Sequence, residues 1–169
     1  MLKALRRSAR SKATARRLCA ELIAQARAPD FFTRFGVPDT LDGRFDLVVL
    51  HAWLVLECVE NDAALAQAVI DEVFLQFDEA LRDLGTGDAA MNRRLKTLAG
   101  MFYGRLQAYR ATANPDELAQ AIWRNVYRGA EARHAEARAL ATYATAARSR
   151  LVSSDPVRAP LDFGPLAIM

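Results

Sequence analysis

From Leu41 to Val59 the chain is apolar almost all the way round a helical cylinder, and this stretch restricts the fold more than any other. A helix with no polar face has to be enclosed by other elements on every side. Its apolar run from Leu47 to Leu56, interrupted by His51, is well short of the ~20 residues that cross a bilayer. It is therefore expected at the centre of a water-soluble helical bundle. The neighbouring segments supply matching faces. Leu65, Val69, Val73, Phe77 and Leu81 step by four, with Ile70 and Phe74 alongside. Met91, Leu95, Leu98, Phe102, Leu106 and Tyr109 mark another stripe, and Leu18, Leu22 and Ala26 a third. No segment sustains the period-two alternation of a half-buried strand, so the expected class is all-α, with about six helices.

Punctuation places the helix ends. Pro29 stops a first helix over Leu2–Ala28, and Asp30–Thr40 is an aromatic connector whose Phe31, Phe32 and Phe35 are expected to plug the end of the bundle. Gly85-Thr86-Gly87-Asp88 joins helices three and four, with Asp88 as a cap. Asn114-Pro115-Asp116-Glu117 combines a cap, a proline at the first helical position and early acids, and Gly129 closes the helix they start. A last, Ala-rich helix runs over about Ala130–Arg150, and the Pro-containing tail cannot continue it. The expected organisation is a basic N-terminal helix (1–28), a helical body (29–151) and an irregular tail (152–169).

The net charge of +3 conceals a segregation. Lys3, Arg6, Arg7, Arg10, Lys12, Arg16 and Arg17 give +7 in the first twenty residues without an acid, which leaves −4 on the other 149. A basic block at a chain end contacts a polyanion or an anionic membrane surface, or stays solvated. It is also compatible with a mitochondrial transit peptide, whereas a secretory signal is excluded because no apolar core follows the charges.

Residues with chemistry to offer are few. Cys19 and Cys58 have no paired-cysteine spacing, so neither a disulfide framework nor a zinc motif is expected. His51 and Cys58, seven apart, are two ligands without a third, and His51 is read as a core histidine bonded to a neighbouring side chain. His134 is expected at the surface. The acids Asp71, Glu72, Asp78, Glu79 and Asp83 lack the Glu-x-x-His pairs of a di-iron bundle and read as a solvated face, with Asp78 able to pair with Arg82. There is no P-loop and no nucleophile elbow. No catalytic residue, cofactor or metal is expected. Arg93-Arg94-Leu95-Lys96, with Tyr103 and Arg105, is the most nucleic-acid-like feature, yet its positions suit an exposed helix face equally well.

Two blocks of the chain resemble the ubiquinol-cytochrome c chaperone family, assembly factors of the cytochrome bc1 complex. One runs from Gly36-Val37-Pro38-Asp39-Thr40 through Leu41-Asp42-Gly43-Arg44-Phe45-Asp46 to Leu56; the other from Leu84-Gly85-Thr86-Gly87-Asp88 through Arg94 and Lys96 to Met101-Phe102-Tyr103-Gly104-Arg105-Leu106. The similarity covers about residues 15 to 130. It implies a helical chaperone, not an enzyme, that holds newly made cytochrome b until partner subunits arrive, with the ribosome as a further contact. It also implies a cytoplasmic location, peripheral at the inner membrane of a bacterium, or the matrix side if the chain is mitochondrial; the short N-terminus reads as bacterial. Arg94, Lys96, Tyr103 and Arg105 are the expected exposed contact surface. Asp42, Arg44 and Asp46 either shape a client groove or form a buried ion-pair lock, the lock being preferred because a charge entering an apolar helix must be paired. The alternative from another class is an RNA- or ribosome-associated helical protein, and a small-molecule enzyme with a pocket around His51 comes third.

Overall fold

The computed structural model describes residues 2–83, 85 and 87–166, excepting the side chains of residues 2–9, 88 and 89. Within these the chain is helical: α1 (Leu2–Ala26), the single turn α2 (Asp30–Thr33), α3 (Leu41–Cys58), α4 (Ala63–Asp83), α5 (Asp88–Arg110), α6 (Pro115–Asn125) and α7 (His134–Ser153). A short 3-10 turn, Glu131–Arg133, precedes α7 and takes up the start of the expected last helix.

The uniform apolar helix sits where its composition requires. α3 packs on α1, α4, α5 and α7, and every residue from Phe45 to Leu56 is buried. Its start is fixed by two local devices. The Thr40 hydroxyl accepts a hydrogen bond from Gly43 N, capping the first turn. Gly43 lies so close to the connector that a Cβ there would stand 2.0 Å from the Pro38 carbonyl oxygen. The Asp-Gly-Arg string thus places its glycine where no side chain fits.

The stripes pair as their spacing implies. Leu18, Leu22 and Ala26 of α1 are buried, as are Leu65, Val69 and Val73 of α4 and Met91, Phe102, Leu106 and Tyr109 of α5. Asn114 caps α6 by accepting from Glu117 N, while Glu117 accepts in return from Ala113 N, and Pro115 occupies the first turn. Asp88 differs from expectation: Gly87 is the cap and Asp88 the first helical residue.

The connector aromatics Phe31 and Phe35 are fully buried, but they pack against the flank of α3 and α7 rather than across the end of the bundle. Phe31 meets His51 at 5.2 Å and Tyr143 at 5.2 Å between ring centroids. The C-terminal segment has no helical period but is tied down. Arg17 donates to the carbonyls of Ala159 and Pro156, Glu21 accepts from Leu161 N, Arg34 donates to the Leu166 carbonyl, and Phe163 is buried edge-on to His51 at 5.3 Å.

Candidate functional site

His51 and the two cysteines are the side chains from which chemistry would be sought first, and each is engaged in packing. His51 is completely buried, with Nδ1 2.7 Å from the Leu47 carbonyl oxygen and Nε2 2.9 Å from the Tyr143 hydroxyl, which itself accepts from Gln25. Burial holds the imidazole down to about 4, so it is neutral at physiological pH, and both ring nitrogens have partners. Burial, reinforced by Glu72, pushes the Cys19 thiol up to about 12; burial and Glu57 push Cys58 up to about 11. Neither supplies a thiolate at neutral pH. Among the described residues no three His, Cys, Asp or Glu side chains gather as a metal would need. His134 is half-buried rather than exposed, stacked on Trp123 at 4.5 Å.

The charged residues at the start of α3 separate into two environments. Asp46 is fully buried, with Arg105 Nε 2.7 Å from Oδ1 and Arg128 Nη1 2.8 Å from Oδ2. Asp46 thus sits in a buried ion-pair lock, but its cations are these two arginines and not the expected Arg44. It corrects the placement of Arg105: only 8% exposed, it is part of the lock and not of an exposed contact surface. The reason is its register, three residues after Phe102 and four before Tyr109, which sets it on the apolar stripe of α5. The contacts satisfy ion-pair distance without hydrogen-bond alignment of the carboxylate oxygens. Burial outweighs the pull of the two arginines and raises the Asp46 carboxyl to about 6. Arg105 also lies over the Phe45 ring at 5.1 Å. Arg128, whose backbone has φ 55° just after α6, was without any signal in the sequence. Asp42 and Arg44, by contrast, are exposed. Arg44 pairs with Asp39 at 2.7 Å and lies over Phe32, and Asp42 stands 3.8 Å from Arg128.

Beside the lock, four helices leave an apolar cleft of about 610 Å³. Its floor is Ile23 from the end of α1, Phe45 and Val48 from the start of α3, Phe77 from α4, and Leu98 and Met101 from α5. Phe45 and Phe77 touch at 5.2 Å, so the lock that grips Phe45 also fixes the floor. Leu41, 67% exposed, forms the lip. Around the opening stand Arg27, Arg44, Arg93 and Arg94, against one acid among the described residues, Asp42. Such a hollow is within the ordinary range for ligand sites, and its apolar lining sets it apart from a second hollow of about 720 Å³. That one, between α6, α7 and the end of α5, is lined by mixed charges such as Asp116, Glu117, Arg124 and Arg138 over alanines.

Of the expected contact residues, then, the cleft gathers Asp42, Arg44 and Arg94. Lys96 is exposed on α5 outside it, and Tyr103, half-exposed, stacks on Phe74 at 6.3 Å. Arg27 and Arg93 complete the rim; Arg93 belongs to the basic stretch Arg93–Lys96, whereas nothing in the sequence points to Arg27. In the N-terminal block, Arg10 and Lys12 are exposed, Arg16 pairs with Glu72 at 3.2 Å and Arg17 with Glu21 at 2.9 Å. The side chains of Lys3, Arg6 and Arg7 lie outside the described residues. Among the described residues no helix is long and apolar enough to cross a membrane.

Comparison with known proteins extends this geometry. The chain is similar to a Cbp3 homolog from Brucella abortus of known crystal structure, at 35% identity and a TM-score of 0.77, covering 92% of this chain and 90% of that one. It is similar to ubiquinol-cytochrome c reductase complex assembly factor 1 of Drosophila melanogaster, 26% identical over 70% of this chain and 50% of the fly protein. The same factor of Xenopus laevis is 21% identical over 57% and 52% respectively. The chain thus spans about half the length of the curated relatives it matches. Residues 33–156, from the aromatic connector through α7, match the ubiquinol-cytochrome C chaperone family model, and the chain belongs to that family.

Proposed function

We propose that the protein is an assembly chaperone of the cytochrome bc1 complex that shields an apolar stretch of newly synthesised cytochrome b in the cleft between α1, α3, α4 and α5. The observation that carries this reading is an apolar floor with a cationic rim, in a chain of this family. A membrane subunit awaiting insertion or assembly exposes side chains that aggregate in water. Covering each 100 Å² of that surface is worth roughly 2.5 kcal/mol before the entropy of association is subtracted. Binding of this strength is released when the client finds a better-matched partner within the complex. The buried lock makes the floor rigid, so the client and not the chaperone adjusts. Arg10 and Lys12, exposed on the first half of α1, lie on an anionic bilayer surface in this reading, each contributing about 1 kcal/mol and weakening with salt. In this reading the chaperone works at the membrane periphery.

The test is capture of pulse-labelled cytochrome b with the tagged protein in cells assembling the complex. The wild-type chain is expected to retain labelled cytochrome b, and Leu41→Glu with Leu98→Glu to lose it while remaining folded by circular dichroism. Retention undiminished by these substitutions, or recovery of ribosomal RNA in place of cytochrome b, contradicts the proposal.

A further inference from the structure

We infer that the cleft selects an apolar helix bearing carboxylates at its flank and rejects one flanked by lysine or arginine; this rests on the proposed function and specifies the client chemistry. The charge at the opening is strongly one-sided. Arg27, Arg44, Arg93 and Arg94 ring it, and among the described residues Asp42 is the only acid that lines it. Arg44 is already committed to Asp39. Arg27 and Arg93 are exposed and, among the described residues, form no ion pair. Exposed cations beside an apolar floor raise the rate and specificity of encounter with a partner of opposite sign and repel one of like sign.

The sign has a consequence for a membrane client. Segments that span a bilayer carry an excess of Lys and Arg at the ends that stay on the side of synthesis. Such an end would bring its cations against Arg27, Arg93 and Arg94. An apolar stretch whose flank carries Asp or Glu seats its aliphatic side chains on Phe45, Phe77 and Leu98 and its carboxylates on the rim. The floor is built from four separate helices and is open along its top, which suits the several side chains of one helical face.

The experiment uses the full chain and fluorescently labelled synthetic peptides sharing one amphipathic apolar core, flanked by two Glu or by two Lys, with anisotropy as the readout. The Glu-flanked peptide is expected to bind at least about fivefold tighter at low salt, as two exposed pairs, to Arg27 and Arg93, imply. The preference is expected to shrink at 0.5 M salt and to invert in Arg27→Glu/Arg93→Glu, whose sites are on the surface. Equal binding of both peptides, with each displaced by Leu41→Glu/Leu98→Glu, overturns the charge selection and leaves the client cleft standing. Binding of neither peptide, while labelled cytochrome b is still captured in cells, removes the cleft as the client site. Competition by anionic phospholipid vesicles, but not by the Glu-flanked peptide, reassigns it to a lipid and overturns the inference.

Discussion

Replacing Arg105 with Met removes the inner cation of the lock and leaves the fully buried Asp46 carboxylate facing only Arg128, which is half-exposed. Breaking a buried pair from one side costs 3–5 kcal/mol, and because Arg128 remains 2.8 Å from Oδ2 the lower end applies, about 3 kcal/mol. About half of that reflects packing, since the guanidinium also covers Phe45. The electrostatic part can be separated with pH. The folded-state carboxyl of Asp46 sits near 6, above its ordinary 3.8, so the folded protein binds this proton more tightly than the unfolded chain. Its ionisation therefore disfavours folding, and stability from this group rises as pH falls from about 6 towards 4. At pH 4.5 Asp46 is protonated; because protonating a carboxyl of pKa near 6 costs only about 1.4 kcal/mol at pH 7, the Arg105→Met deficit should contract by that amount, to roughly 1.5 kcal/mol. Adding Asp46→Asn to Arg105→Met should recover about 1.5 kcal/mol at pH 7. Urea unfolding of the three variants at pH 7 and 4.5 measures all of this. A deficit equal at both pH values and untouched by Asp46→Asn would show that Arg105 acts by packing alone.

Three further outcomes are expected from the same geometry. His51 is held neutral with its pKa lowered from 6.5 to about 4, so its contribution is complete above 6.5 and is lost as pH falls to 4. That loss is about 3 kcal/mol, and His51→Gln should abolish it when the two stability curves are subtracted. Gly43→Ala sets a Cβ against the Pro38 carbonyl and should cost on the order of 3 kcal/mol or more, seen as a lowered urea midpoint. Phe163→Ala should cost about 2–3 kcal/mol and make the segment after Ser154 the first site cut in limited proteolysis, since Phe163 anchors it on His51.

The bundle was legible because its signals are local. Uniform apolarity marks α3 as central, stripes stepping by three or four orient α1, α4 and α5, and Asn114-Pro115 starts α6. His51 was legible as a core histidine for the same reason: one polar side chain in an enclosed helix must find a partner, here Tyr143. The burial of Arg105 was present in its register beside Phe102 and Tyr109, but its charge and neighbouring Tyr103 drew the reading towards the surface. Arg128 and the cleft left no trace in any one segment. The lock's outer half comes from the turn after α6, and the cleft exists only where four helices meet. The C-terminal segment, lacking periodicity, is held by single contacts from Arg17, Glu21 and Arg34 that no pattern announces.

The most direct test of the central claim is site-specific photo-crosslinking in cells assembling the bc1 complex, with the crosslinker placed in turn at Leu41, Leu98 and Met101 in the cleft and at Val152 on the exposed end of α7. Adducts to newly made cytochrome b from the three cleft positions and none from Val152 are the predicted result. Adducts from Val152 with silence from the cleft would place the client elsewhere and contradict the account.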